Sequence, residues 1–316
     1  MTKAIQAPIV LEAQDVRDHL SKLDALGAMR ALFTNLGQDK AVQPAQTVTL
    51  LPGDSGDFIT YMGASAEPNI FGAKLSPYLP QTDDPIITAW TLLMSAKTGR
   101  PLMLCDSGEL TTLRTAATTA LAVDLLARAQ ARTLAIIGAG SVARAHLEQV
   151  KGLRDWDEIR VFAPSLKNEN AAAKWTALDE RIRVAGSAED AAKGADVVML
   201  CTSSGTPVLK TEAVAPNALV TSISTNVANA HEIEPTFLMQ ADVYCDCSTT
   251  TPSSAGEMKL AAQAGWSPDS IRGDLAGLVC SNCPAPTGDR PVFFRSIGLG
   301  LEDIFMAHSI YNAATC

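Results

Sequence analysis

The sequence contains no apolar run approaching the ~20 residues that a membrane-spanning helix needs. Its start, Met1-Thr-Lys-Ala-Ile-Gln, has no apolar core followed by a small-residue cleavage site, so no secretory signal is expected and the cytoplasm is the expected compartment. Positive charge is not in excess: 25 Lys and Arg stand against 34 Asp and Glu, a net charge of −9. That balance argues against a nucleic-acid or anionic-membrane partner. There is no internal repeat and no low-complexity tract. Cysteine forms no disulfide framework either. The seven are odd in number and dispersed, and read as reduced thiols. Cys245-Asp-Cys247 and Cys280-Ser-Asn-Cys283 hint at four zinc thiolates, but one pair lacks the usual two-residue spacer and no helper histidine is near.

What is present is an ordinary globular composition, 47% hydrophobic and 19% charged over 316 residues, enough for two domains. Residues 14–36 carry Val16, Leu20, Leu23, Leu26 and Leu32 at helical steps and predict one amphipathic helix. Residues 47–51 and 58–62 flank a glycine turn and predict a β-hairpin. Residues 71–75 predict a strand, and Ile86–Met94 with Leu102–Cys105 a second hairpin. A helix is expected from Glu109 to Arg128 and a final one from Gly298 onward. Between them, strands at 133–137, 159–162, 182–184, 197–200, 218–221 and 242–244 alternate with alanine-rich segments read as helices. That alternation predicts an α/β fold, a doubly wound parallel sheet of Rossmann type.

The most informative stretch is Leu134-Ala-Ile-Ile-Gly138-Ala139-Gly140-Ser141-Val142-Ala143. An apolar strand meets two glycines and then a helical pattern. Bare glycine backbone admits a pyrophosphate, and the first-turn N–H groups hold it. Dinucleotide sites of this type usually carry an acidic residue at the end of the second strand, against the adenosine ribose. Here that strand ends Ala163-Pro164-Ser165-Leu166-Lys167, without a carboxylate. Ser165 and Lys167 suit a 2′-phosphate, which favours NADPH, with NADH as the alternative. Lys74 is the only charged residue between Phe71 and Tyr78, and Arg114 sits early in its helix, where a cation is disfavoured unless an anion binds it.

Gly72-Ala-Lys74, the run Ser107–Ala122 containing Arg114-Thr-Ala-Ala, the Gly138-Ala-Gly140 turn and Arg295-Ser296-Ile297-Gly298 with Leu301-Glu-Asp303 follow in an order and spacing that resembles the ornithine cyclodeaminase/mu-crystallin family. The resemblance covers nearly the whole chain. It implies a homodimer whose α+β substrate-binding and dimerisation domain comes from residues 1–118 completed by 295–316, with a Rossmann dinucleotide-binding domain at 119–294. It implies that Lys74 and Arg114 hold a substrate carboxylate, with Lys74 also near the reacting nitrogen. Ser141 and Val142 would lie on the pyrophosphate. Thr202, Ser203 and Ser222–Thr225, including Ser224, would line the nicotinamide side. Ser296 and Ile297 would close the pocket.

Two departures bear on the reaction. Asn226 stands where the cyclodeaminases carry a proton-shuttling aspartate, and an amide cannot move that proton. Gln46 stands where an arginine often binds substrate. Both suit a ketimine reductase, whose substrate is already an imine. Residues 72–77, 224–226 and 230–232 look most like the bacterial Δ1-pyrroline-2-carboxylate reductase branch. The expected function is NAD(P)H-dependent reduction of a small cyclic imino acid to L-proline or L-pipecolate. Ornithine cyclodeamination, alanine dehydrogenation and non-catalytic ligand carriage are the alternatives.

Overall fold

A computed structural model describes residues 7–82, 84–224 and 229–315. The chain divides into two compact units, Met1–Arg114 with Leu299–Cys316, and Thr115–Gly298. Among the described residues no helix is long and apolar enough to cross a membrane.

The first unit is built on a sheet of β1 (Ile9–Leu11), β2 (Ala41–Val42), β3 (Thr47–Leu50), β4 (Asp57–Ser65), β5 (Ile70–Leu79), β6 (Ile86–Ile87), β7 (Trp90–Ser95) and β8 (Pro101–Asp106). Its main path is β1-β8-β7-β5-β4-β2, antiparallel except for β1 beside β8. The expected hairpin of β3 and β4 forms, with Val48 opposite Ile59. The second expected hairpin forms from β7 and β8, but its first arm does not run unbroken from Ile86. Residues 86–87 pair instead with the far end of β5.

The helix expected over 14–36 is two helices, α1 (Ala13–Leu20) and α2 (Ala25–Gly37). The apolar steps run through the break, but the Asp24 side chain accepts the Gly27 N–H at 2.9 Å and starts a new N-terminus. The C-terminal helix, Gly300–Thr315, packs on α2 and on β4, β5 and β7. Gly300 allows this approach, because a Cβ there would lie 2.2 Å from the Met62 carbonyl oxygen.

Helix α3 (Gly108–Leu126) contains the division between the units. The second unit carries β9 (Thr133–Ile137), β10 (Glu158–Phe162), β11 (Ile182–Val184), β12 (Val197–Leu200), β13 (Leu219–Ser222), β14 (Asp242–Cys245), β15 (Gly273–Asp274) and β16 (Val292–Arg295). All pairs are parallel, in the order β11-β10-β9-β12-β13-β16-β14-β15. This is the expected α/β fold of Rossmann type. Strands β12, β13, β14 and β16 are buried at every position, as parallel strands covered on both faces must be.

Two expectations fail here. The segments after β12 and β13 are not helical among the described residues. They carry only the 3₁₀ turns Thr211–Ala213 and Pro235–Met239, since Gly205, Pro207, Pro216 and Pro235 interrupt any helical run. Strand β16 was not expected. Its three-residue apolar run, Val-Phe-Phe before Arg295, has no period that separates strand from loop, yet it inserts between β13 and β14.

Candidate active site

In the first unit Lys74 lies on an interior strand, between Tyr61 of β4 and Thr91 of β7. It is not an edge lysine with its amine in water, being 1% exposed. Its Nζ donates to Asp303 Oδ1 at 2.9 Å and sits 4.2 Å from the centre of the Tyr61 ring. Arg114, in the second turn of α3, donates from Nε to the same Asp303 oxygen at 3.2 Å and from Nη1 to Glu302 Oε2 at 2.9 Å. Glu302 and Asp303 are buried in the first turn of the C-terminal helix. The structure therefore brings the two predicted cations together, on two carboxylates to which sequence reading gave no role.

Burial pushes the Lys74 ammonium down to about 8, against the opposing pull of Asp303. Burial also works against the Arg114 charge, but Asp303 and Glu302 outweigh it and hold the guanidinium protonated. The Tyr61 hydroxyl is pushed up to about 12 by burial. Asp303 Oδ2 is buried with no hydrogen-bond partner among the described residues. The signal for these acids was faint: they are the only carboxylates in an apolar helix, but acids in a first turn also suit the helix dipole. Gln46 lies half-buried in the chain before β3, and Gln43, not Gln46, reaches the C-terminal helix by accepting the Leu301 N–H at 3.0 Å.

In the second unit the turn after β9 has the geometry a dinucleotide needs. Gly138 adopts φ +128°, and a Cβ there would lie 2.4 Å from the Cys201 carbonyl oxygen. Gly140 is exposed, and among the described residues no atom lies within 4 Å of where its Cβ would be. It precedes α4 (Ser141–Val150), whose first turn no side chain caps. Open space over unpaired N–H groups fits a pyrophosphate, with Ser141 exposed and Val142 half-buried beside it. Ala143 is fully buried under the turn. After β10, Ser165 and Lys167 stand exposed on the turn Pro164–Lys167. The indole N–H of Trp175, a residue sequence reading passed over, donates to the Ala139 carbonyl at 3.3 Å.

At the ends of β12 and β13, Ser203 is exposed, while the hydroxyls of Thr202 and Ser222 turn inward to Glu232. The Ser224 hydroxyl donates to the Ser204 carbonyl at 2.7 Å. The returning segment is held by buried Asp246, whose Oδ2 accepts from the Ser296 hydroxyl at 3.0 Å, the Ile297 N–H at 2.6 Å and the Gly298 N–H at 3.0 Å. Burial raises the Asp246 carboxyl, while these donors and Thr251 oppose the shift. Arg295, buried beside them, pairs through Nε with Glu257 at 2.6 Å and donates to the carbonyls of Ser224 and Ser296. Asn226 and Thr225 lie outside the described residues.

The chain is 52% identical over 306 residues to the NAD(P)H-dependent anabolic L-arginine dehydrogenase DauB of Pseudomonas aeruginosa, covering 96% of this chain and 97% of that protein. It is 28% identical to the ketimine reductase mu-crystallin of Mus musculus, covering 98% of each. Its fold matches that of Thermococcus litoralis Δ1-pyrroline-2-carboxylate reductase, solved with NADH and L-proline, at a TM-score of 0.88 and 23% identity over 97% of each chain. The family profile itself matches residues 6–316. On that match and the 52% identity to DauB, the chain belongs to the ornithine cyclodeaminase/mu-crystallin family.

Proposed function

We propose that the protein is a nicotinamide-dependent reductase that converts the C=N bond of a small α-imino acid into an L-amino acid. The observation that carries this reading is the buried charge set of Lys74, Arg114, Glu302 and Asp303, two cations against two carboxylates, with Asp303 Oδ2 left without a donor among the described residues. A simple anion entering it would leave a buried charge uncompensated, which is strongly unfavourable. An α-iminium carboxylate is itself a zwitterion. Its carboxylate suits Arg114 and Lys74, and its N–H is the donor that Asp303 Oδ2 lacks.

A reduced nicotinamide supplies hydride when bound. The chain's own residues do the rest. Arg114 fixes the carboxylate and so the face of the imine presented. Lys74, near neutrality in its proton affinity, keeps the imine nitrogen protonated and recovers its own proton from water after release. The missing 2′-hydroxyl carboxylate after β10, with Ser165 and Lys167 in its place, supports NADPH over NADH.

Cyclic imino acids, Δ1-pyrroline-2-carboxylate above all and Δ1-piperideine-2-carboxylate beside it, are the expected substrates. The 52% identity to an arginine dehydrogenase favours a second reading, in which the imine forms from the 2-oxo acid of arginine and ammonia. Following NADPH oxidation with each of the three separates them. Proline and ammonia from ornithine without added reductant would replace the reading by cyclodeamination. Alanine-dependent NAD(P)+ reduction would replace it by alanine dehydrogenation. Tight cofactor binding without any turnover would leave a carrier.

A homodimer is part of the proposal. Val10, Leu104, Leu92, Ala73 and Met62 lie opposite one another across β1, β8, β7, β5 and β4, and the four large members are 38–56% exposed. A contiguous apolar row of this kind on a sheet face calls for a partner surface, and a second copy supplies one.

A further inference from the structure

We propose that Glu232 is the positioning residue for the nicotinamide half of the dinucleotide site. The inference rests on the reading that the second unit binds a nicotinamide dinucleotide. Glu232 is fully buried. Its Oε1 accepts from the N–H and the hydroxyl of Thr202, both at 2.7 Å. Its Oε2 accepts from the Ser222 hydroxyl at 2.8 Å, the Ile223 N–H at 3.0 Å and the Ser224 N–H at 3.1 Å. The Val208 N–H, at 2.9 Å, in turn holds the Glu232 carbonyl. One carboxylate thus ties together the last residue of β13 and the residues just beyond β12 and β13.

The sheet order shows which part of the ligand those residues serve. A dinucleotide lies across the carboxyl ends of the strands at the switch point. With the pyrophosphate on the turn after β9 and the adenosine ribose at the end of β10, the ends of β12 and β13 on the other side of β9 face the nicotinamide half. The loops there contain no helix whose dipole or ladder would fix them, among the described residues. Glu232 supplies the fixed acceptors instead. Glutamine is not a neutral replacement. Both oxygens face backbone N–H groups, so either orientation of the amide points an NH2 at a donor.

The test compares two probes, NADPH and 2′-phospho-ADP-ribose, which lacks the nicotinamide. Binding of each is measured by titration calorimetry to the wild type, Glu232→Gln and Ser222→Ala, with circular dichroism as the fold control. Ser222→Ala removes one buried donor to Glu232 and leaves the carboxylate in place. The expected result is NADPH weakened by about tenfold or more in Glu232→Gln and severalfold in Ser222→Ala, with 2′-phospho-ADP-ribose unchanged in both. Equal loss on both probes, or loss on neither, overturns the proposal, and Ser222→Ala decides it alone if Glu232→Gln does not fold. A wild type that binds neither probe refutes the dinucleotide reading rather than the role of Glu232.

Discussion

Lys74 is a cation with 1% exposure whose proton leaves near pH 8, and that value sets a measurable limit. Because its pKa is lowered by burial, the ammonium form is present below about 8 and is lost above it. If that form serves the substrate, kcat/KM is level below this pH and falls about tenfold per unit above it. Asp303 raises the Lys74 pKa, so Asp303→Asn moves the fall to lower pH, while Lys74→Arg removes it from the profile. Arg114→Lys keeps the charge but loses the planar fork, and is expected to raise KM for the imino acid and lower kcat/KM by about 2–4 kcal/mol in transition-state terms. Unchanged kinetics in that variant would remove Arg114 from the site. His146 offers a stability test independent of function. It is fully buried between the Val142 carbonyl and the Thr119 hydroxyl, and burial pushes its pKa down to about 4. The unfolded imidazole takes its proton near 6.5, so this contribution is complete above that pH and drains as pH falls toward about 4. The loss is about 3 kcal/mol in denaturant unfolding, and His146→Gln flattens it.

The strand, turn and helix at 133–150 act locally, and for that reason they were legible in sequence. The glycine spacing, the apolar run before it and the small residue after it all belong to one contiguous stretch. Its two glycines separate in experiment. Gly138→Ala strains a φ of +128° and meets the Cys201 carbonyl, so it destabilises the fold by about 1–3 kcal/mol. Gly140→Ala places its Cβ with no atom of the described residues within 4 Å, so it is expected to leave the melting temperature near the parent value while weakening NADPH binding by calorimetry. Elements that answer to distant partners were not legible. The break between α1 and α2 turned on one Asp24 cap against an unbroken apolar pattern. Strand β16 was too short to show a period. Glu232 entered the reading only within the 230–232 resemblance and with no role of its own, because its five donors among the described residues lie 8 to 30 residues away, at the ends of other strands.

At the scale of the molecule, the exposed row from Val10 to Met62 makes association testable. Light scattering on the wild type is expected to give twice the chain mass, and Leu92→Lys with Leu104→Glu to give the monomer. A monomeric wild type would leave the row without its proposed partner. The cofactor fold, written in one stretch, was read correctly in outline. The charged cluster was half read: Lys74 and Arg114 stood out as cations in apolar or helical settings, but their acids lie 229 and 189 residues downstream. That separation also governs how the protein is made. As the chain leaves the ribosome, residues 115–298 emerge whole and have their sheet complete, while Lys74 and Arg114 still await the anions at 302 and 303. Early closure around these two would strand bare positive charge in an apolar interior. The second unit is thus expected to be able to settle first, and the amino-terminal sheet to neutralise its two buried cations once the last helix has been delivered.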